Sequence, residues 1–319
     1  MHPLHWCAAG LLMLAVTSLR AESLPGEIHI IVPVTAGSSL DARARVIAEA
    51  IGQRLKRRVI IENRPGAGGT LGALTVARSR PDGSTLLFTN NSHVVSPHIY
   101  ASPGYDPIRD FAPVAQAYVS GMMLVAHPSL GVASLKELVV LARGQSQPPG
   151  YASSGTGSLP HLATELFKQA AGIELLHIPY RGDGQALTDV LAGRVPLMMS
   201  GYVVATPHIR AGKLRALAVT SPRRAEILPG VPTIAESGYP TYVLDTWTGF
   251  FAPAGTPAEV IDKLNHEIAA ALTAPAVQAQ LAATGADAAV TSPAEFAAFV
   301  LQEWEAYGKL VRKLSLKPE

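Results

Sequence analysis

The chain has 319 residues, enough for two domains of ordinary size. Hydrophobic residues make up 48% and charged ones only 16%, which excludes a disordered chain. A net charge of +2 without a basic block argues against a nucleic-acid binder. The densest cationic cluster, Arg54, Lys56, Arg57 and Arg58, reads as the solvated end of a helix.

The first residues read as a targeting segment. Cys7 to Leu19 is an apolar run too short to span a bilayer, and Ala21 is a small residue at a cleavage position. Residues 1–21 are therefore expected to be a signal peptide, although only His2 and His5 stand where a charged n-region belongs. Cys7 is the only cysteine and lies inside this segment, so the mature chain is expected to carry no disulfide and no thiol chemistry. A lipid anchor would need its cysteine after the run. No other stretch is apolar for long enough to cross a membrane, and an exported soluble protein is expected.

Ile28 to Val34 reads as a strand buried on both faces. Thr35 to Ser39 follows, all small or hydroxylated residues, and Ala42 to Leu55 has helical spacing. Strand, tight loop and helix place free amides and hydroxyls at the positive end of a helix, a ready anion seat. Val59 to Glu62 is a second strand, Asn63 to Gly69 a loop, and Thr70 to Arg78 a helix. Pro81-Asp82-Gly83 is a turn before a third strand, Ser84 to Thr89. This alternation predicts a parallel sheet with helices on both faces. Tyr105 to Phe111 is a polar connector, and Val114 to Ala126, with Gly121 inside it, reads as a strand passing to a second domain.

The second set alternates likewise. Helices are expected over Leu135 to Arg143, His161 to Ala171 and Ala186 to Ala192. Strands are expected over Gly150 to Ser153, Leu175 to Pro179, Leu197 to Ser200 and Leu214 to Thr220. Tyr242 to Ala252 returns the chain to the first domain. Helices then run over Pro257 to Leu272, Pro275 to Ala283 and Pro293 to Leu314, with Thr256 and Ser292 as N-caps.

Two loops stand out. Ser38-Ser39-Leu40-Asp41 fits a capping box, which explains Asp41 without any ligand. A cap does not require Ala36-Gly37 before it, whereas close approach of a ligand to main chain does. Ser154 to Ser158 repeats the chemistry, with two glycines around Thr156 before a helix. Ligands of open α/β sheets sit at the carboxyl ends of strands, so two facing domains put both loops on one cleft.

Other signals are weak. Gly66 to Gly72 is glycine-rich but follows the second strand, with no acidic residue at the spacing a dinucleotide site needs. No Walker loop and no Gly-x-Ser-x-Gly elbow occurs. His93, His98, His161 and His177 form no metal signature and read as structural or surface residues; neither metal nor cofactor is expected. Asp183 reads as a helix cap.

The chain resembles the Bug, or TctC-type, extracytoplasmic solute-binding proteins of tripartite tricarboxylate transporters. The resemblance rests on Ile31-Val32-Pro33 with Ala36-Gly37 and Asp41, on Glu62 to Gly69, on Pro81-Asp82-Gly83, and on Tyr105-Asp106-Pro107 with Asp110-Phe111. It continues through His161-Leu162-Ala163, Pro179 to Gly182, Ala186 to Asp189 and Phe251 to Pro257. It implies a type II periplasmic-binding-protein fold, two α/β lobes joined by crossing strands, with residues 22–112 and 245–319 in one lobe and 113–244 in the other. It implies a periplasmic monomer that captures a small organic carboxylate and delivers it to integral-membrane permease subunits, without catalysis. The implied ligand contacts are Thr35, Ala36, Gly37, Ser38 and Asp41 on one side and Ser154, Gly155, Thr156 and Ser158 on the other, with Asn90, Gly182 and Asp183 as further lining. Ser38, Leu40 and Pro196 depart from the family pattern, and Leu40 makes one side of the seat more apolar. A seat of amides and hydroxyls needs no buried arginine, whose desolvation would cancel much of the gain. The rival readings are an α/β enzyme, nucleotide-dependent or a serine hydrolase, and a solute sensor for a membrane kinase.

Overall fold

The computed structural model describes residues 24–100, 102–242 and 244–313. The expected signal peptide lies outside them. The first part of the chain forms β1 (Glu27–Val32), α1 (Ser39–Leu55), β2 (Arg58–Asn63), α2 (Thr70–Ala77), β3 (Thr85–Asn90), α3 (Ser92–Ile99) and β4 (Phe111–Ser120). After Gly121 come β5 (Met122–Ala126), α4 (Leu135–Gly144), β6 (Gly150–Ser153), α5 (Leu159–Ala171), β7 (Leu176–Pro179), α6 (Asp183–Leu191), β8 (Leu197–Gly201), α7 (Tyr202–Arg210) and β9 (Arg215–Val219). The chain then returns as β10 (Thr246–Pro253), α8 (Ala258–Leu272), α9 (Pro275–Ala283), β11 (Ala286–Ala288) and α10 (Pro293–Lys313).

Among the described residues the strands form two sheets, ordered β11-β4-β10-β3-β1-β2 and β7-β6-β8-β5-β9. The pairs of β1 with β2 and β3 are parallel, as are those of β6 with β7 and β8. The sheets are mixed rather than wholly parallel, because β10 runs antiparallel to β3 and β4, and β5 antiparallel to β8 and β9. A chain that leaves one sheet for the other and comes back must insert strands of opposite direction. The crossing itself is tight. Gly121 alone separates β4 from β5, and a Cβ there would run into the Tyr202 hydroxyl. On the return path Leu244 N donates to Thr220 O, and the Thr246 hydroxyl donates to Ser120 O at 2.6 Å.

Ile28, Ile30 and Val32 of β1 pack toward α1 and α8, while Ile31 packs toward α2, α3 and α10. Both faces of the first sheet are therefore covered, as the unbroken apolar run requires. Clusters around Phe167 and around Val190 cover the two faces of the second sheet.

Three elements escape the sequence pattern. α3 and α7 each contain an interior proline, Pro97 and Pro207, and each starts within a residue of a strand, so no loop signal announces them. β11 has three residues, too few for a period. Ser292 makes the expected reciprocal cap with Glu295, whereas the Thr256 hydroxyl donates to Pro253 O and leaves α8 without a side-chain cap.

Candidate functional site

The C-terminal end of β1 delivers Thr35 to Ser38 to the start of α1. Gly37 adopts φ +81, a left-handed turn that only glycine takes without strain. Its N–H donates to Asp41 Oδ2 at 2.8 Å, and Ser38 Oγ accepts from Asp41 N at 3.3 Å. The expected capping box is thus shifted by one residue: Asp41 reaches back to Gly37, not to Ser38. The Ser39 and Leu40 N–H groups, at the positive end of α1, find no partner among the described residues.

Asp41 therefore serves the loop rather than the cleft. It is buried, and its carboxylate also accepts from Asn63 Nδ2 at 3.0 Å and pairs with Arg45 at 2.9 Å. Burial alone would raise its pKa, but the bonds from Arg45, Gly37 and Asn63 together hold it below the usual carboxylate value.

The second loop is built on the same plan. Gly157 adopts φ +74, and its N–H donates to His161 Nδ1 at 2.9 Å. Ser158 opens α5 with φ −66 and ψ 158, against −71 and 164 for Ser38. Ser158 makes no side-chain cap, and its Oγ is buried without a partner among the described residues.

Beneath this loop lies a cluster that spacing did not reveal. The His161 and His177 rings stack at 3.9 Å and 4°, and Ser153 Oγ lies 2.6 Å from His177 Nε2. Burial pushes both imidazoles down, His177 to about 4. They hold the loop as neutral rings.

The two loops meet on a cleft of about 770 Å³, within the ordinary range for small-molecule sites. Thr35, Ala36, Gly37, Ser38, Asn90, Ser154, Gly182 and Asp183 line it, as do Leu40 and the floor residues Tyr118, Ser120, Thr246 and Thr248 from the crossing strands. Gly155 and Thr156 line instead an adjoining shallow depression with Tyr180 and Arg181. Asn90 Oδ1 accepts from the Ser92 amide and hydroxyl, which leaves its Nδ2 to the cleft. Asp183 lies open to solvent at the cleft, yet the surrounding protein desolvates its carboxyl enough to raise its pKa, against a bond from Ser154.

Sequence reasoning missed the floor and one cation. Tyr118, Thr246 and Thr248 reach the cleft only because β4 and β10 run beneath it. Arg43, one of two arginines on the first turns of α1, lines the cleft and is only 8% exposed.

A conserved-domain comparison decides the family. Residues 43–316 match the tripartite tricarboxylate transporter family receptor, TctC. The chain belongs to this receptor family. Its relatives agree. The TctC-type receptor is 35% identical to protein BugT of Bordetella pertussis over 302 residues, covering 94% of this chain and 93% of BugT. Its fold matches Rpa4515 of R. palustris with adipate at a TM-score of 0.86 and 33% identity, covering 93% of this chain and all (100%) of that one. It matches MatC of Rhodopseudomonas palustris with bound malate at a TM-score of 0.80 and 31% identity, over 90% and 99% of the two chains. The receptor thus has the fold of periplasmic binding proteins, two α/β sheets joined by crossing strands, and is a solute-binding protein by family.

Proposed function

We propose that this receptor is exported to the periplasm, captures a small organic carboxylate between its loops, and hands it to integral-membrane permease subunits without catalysing any reaction. The observation that carries the reading is the pair of helix starts that line one cleft, Ser39 and Leu40 of α1 and Leu159 and Pro160 of α5, each directly after a matched Gly-Ser turn, Gly37-Ser38 and Gly157-Ser158. Free amides at a helix start favour an anion, and each charge-assisted bond contributes about 1.5–3 kcal/mol. A few such bonds reach the roughly 8 kcal/mol that micromolar binding needs. The adipate and malate held by the two related proteins are carboxylates of suitable size.

The contacts proposed are Thr35, Ala36, Ser38, Asn90, Ser154, Gly182 and Asp183, with Gly37 shaping the first turn. Asp41 supports that turn from below, and Gly155, Thr156 and Ser158 shape the second loop. In this reading the lobes are residues 22–112 with 245–319 and residues 113–244. Closure of the lobes would exclude water and strengthen each bond. The chain works as a monomer without a cofactor.

A thermal-shift panel of mono-, di- and tricarboxylates tests this. A bound ligand at about 100 times its Kd stabilises the protein by about 2.7 kcal/mol. Mass spectrometry of small molecules retained on native purification would name the ligand. A flat panel, with no retained acid, would remove the carboxylate reading.

A further inference from the structure

Arg43 is a buried cation whose surroundings do not neutralise it. Its Nε donates to Thr284 Oγ1 at 3.1 Å and its Nη2 to Thr284 O at 2.7 Å. Its Cζ lies 4.8 Å from the centroid of the Tyr118 ring. None of the ion pairs among the described residues includes it. A largely buried guanidinium without a counter-ion is costly, and an anion in the cleft would offset that cost. Nη1 has no partner among the described residues, and the residue lines the ligand cleft.

The helix explains why Arg43 and Arg45 differ. Two positions on an α-helix are about 200° apart, so one turns outward when the other turns in. Arg45 turns out, half exposed, and spends its charge on Asp41 and Asn63. Arg43 turns in, and Thr284 and Tyr118 hold its plane in place. A fixed guanidinium plane is suited to bidentate recognition of a carboxylate or phosphate.

The charges of the cleft are arranged on two sides. Asp183, from the start of α6, faces the same space and carries the opposite charge. An anionic group is therefore drawn to the α1 side of the cleft, where Arg43 stands. Tyr118 and Thr248 on the floor bring no charge.

We propose that Arg43 is a specificity-determining residue that binds a second anionic group of the ligand, distinct from the carboxylate held at the amide seats. This rests on the carboxylate reading above and narrows it to ligands with two anionic ends.

The test is calorimetric titration of the full mature chain with straight-chain dicarboxylates, succinate to suberate, each against the monocarboxylate of equal carbon count. The wild type is expected to prefer the fitting dicarboxylate by about 10- to 100-fold. Arg43→Gln should reduce that preference to less than about 3-fold, and Arg43→Lys should keep part of it because the charge remains without the fork. Ligand-free melting curves check that each variant folds, and the Lys variant carries the comparison if the Gln variant does not. Equal wild-type affinity for mono- and dicarboxylates overturns the proposal, as does a preference that survives Arg43→Gln. Wild type that binds neither class defeats the underlying carboxylate reading instead, so the two failures are told apart.

Discussion

The Gly157 amide donates to His161 Nδ1 at 2.9 Å, in the same i to i+4 geometry in which the Gly37 amide donates to the Asp41 carboxylate at 2.8 Å. One loop is thus held by a fixed negative charge and the other by a neutral ring that can titrate. His161 can accept that bond only while Nδ1 carries no proton. Its stacked neighbour His177, with Glu165 and Lys168 nearby, completes the charge environment. Burial depresses both imidazoles below the ordinary 6.5, His177 to about 4. The sign follows by linkage: the pair's stability contribution is complete above pH 6.5 and is lost as pH falls from there toward 4. Melting temperature and ligand affinity are expected to drop together across that window. His161→Asn, whose amide oxygen can accept without titrating, should flatten part of the slope; an unchanged pH profile would take His161 out of the switch.

Asp41 makes the matching case in acid. Its carboxyl is held below the ordinary 3.8, so its stabilisation is present above that value and disappears as pH falls through the lowered pKa. Asp41→Ala leaves the Gly37 amide without its acceptor, while Asn63 keeps its bond to Val34 O and Arg45 its bond to Asn63 Oδ1. Chemical denaturation is expected to show a loss of about 1–3 kcal/mol. Ligand affinity should fall with it, because Asp41 holds the loop that carries the first seat.

Gly37 separates strain from obstruction. A Cβ at this position meets no protein atom, so Gly37→Ala brings no clash in the empty receptor. The cost is the left-handed backbone, about 1–2 kcal/mol. The methyl group also enters the cleft beside the seat. Calorimetry is expected to show a larger loss of binding than denaturation shows of stability, and Gly37→Val a larger one still. Equal losses would mean that Gly37 acts on folding alone.

Gly157 touches the other half of the molecule. A Cβ there would run into Ile99 of α3. Gly157→Ala should push the second loop away from the first sheet and weaken binding by about 10-fold or more. Ile99→Ala in the same chain relieves the collision but not the φ of +74, so it should restore only part of the affinity. No rescue at all would place the whole effect in the backbone.

Much of this was legible in the residues. Val32 to Asp41 announced strand, loop and helix because β-branched runs and helical spacing are local properties. Ser154 to Ser158 was readable for the same reason. The shallow placement of Gly155 and Thr156 was not, since which face of a loop meets the cleft depends on how two sheets are set against each other. α3 and α7 were hidden by Pro97 and Pro207, whose cost to a helix is offset by packing that no window of sequence contains.

By itself the sequence determined the α/β alternation, the two small-residue loops and the receptor family, all carried by patterns within a few residues of one another. Tertiary structure decided the chemistry of the cleft. It turned Arg43 inward under Thr284 while Arg45 turned outward, brought His161 onto His177 across α5 and β7, and laid Tyr118 and Thr248 under the ligand space. The physical reason is that burial and charge neutralisation are set by what packs from far along the chain, so the same residue type, two positions apart, becomes a surface cation in one case and, in the other, a buried one without an ion pair among the described residues.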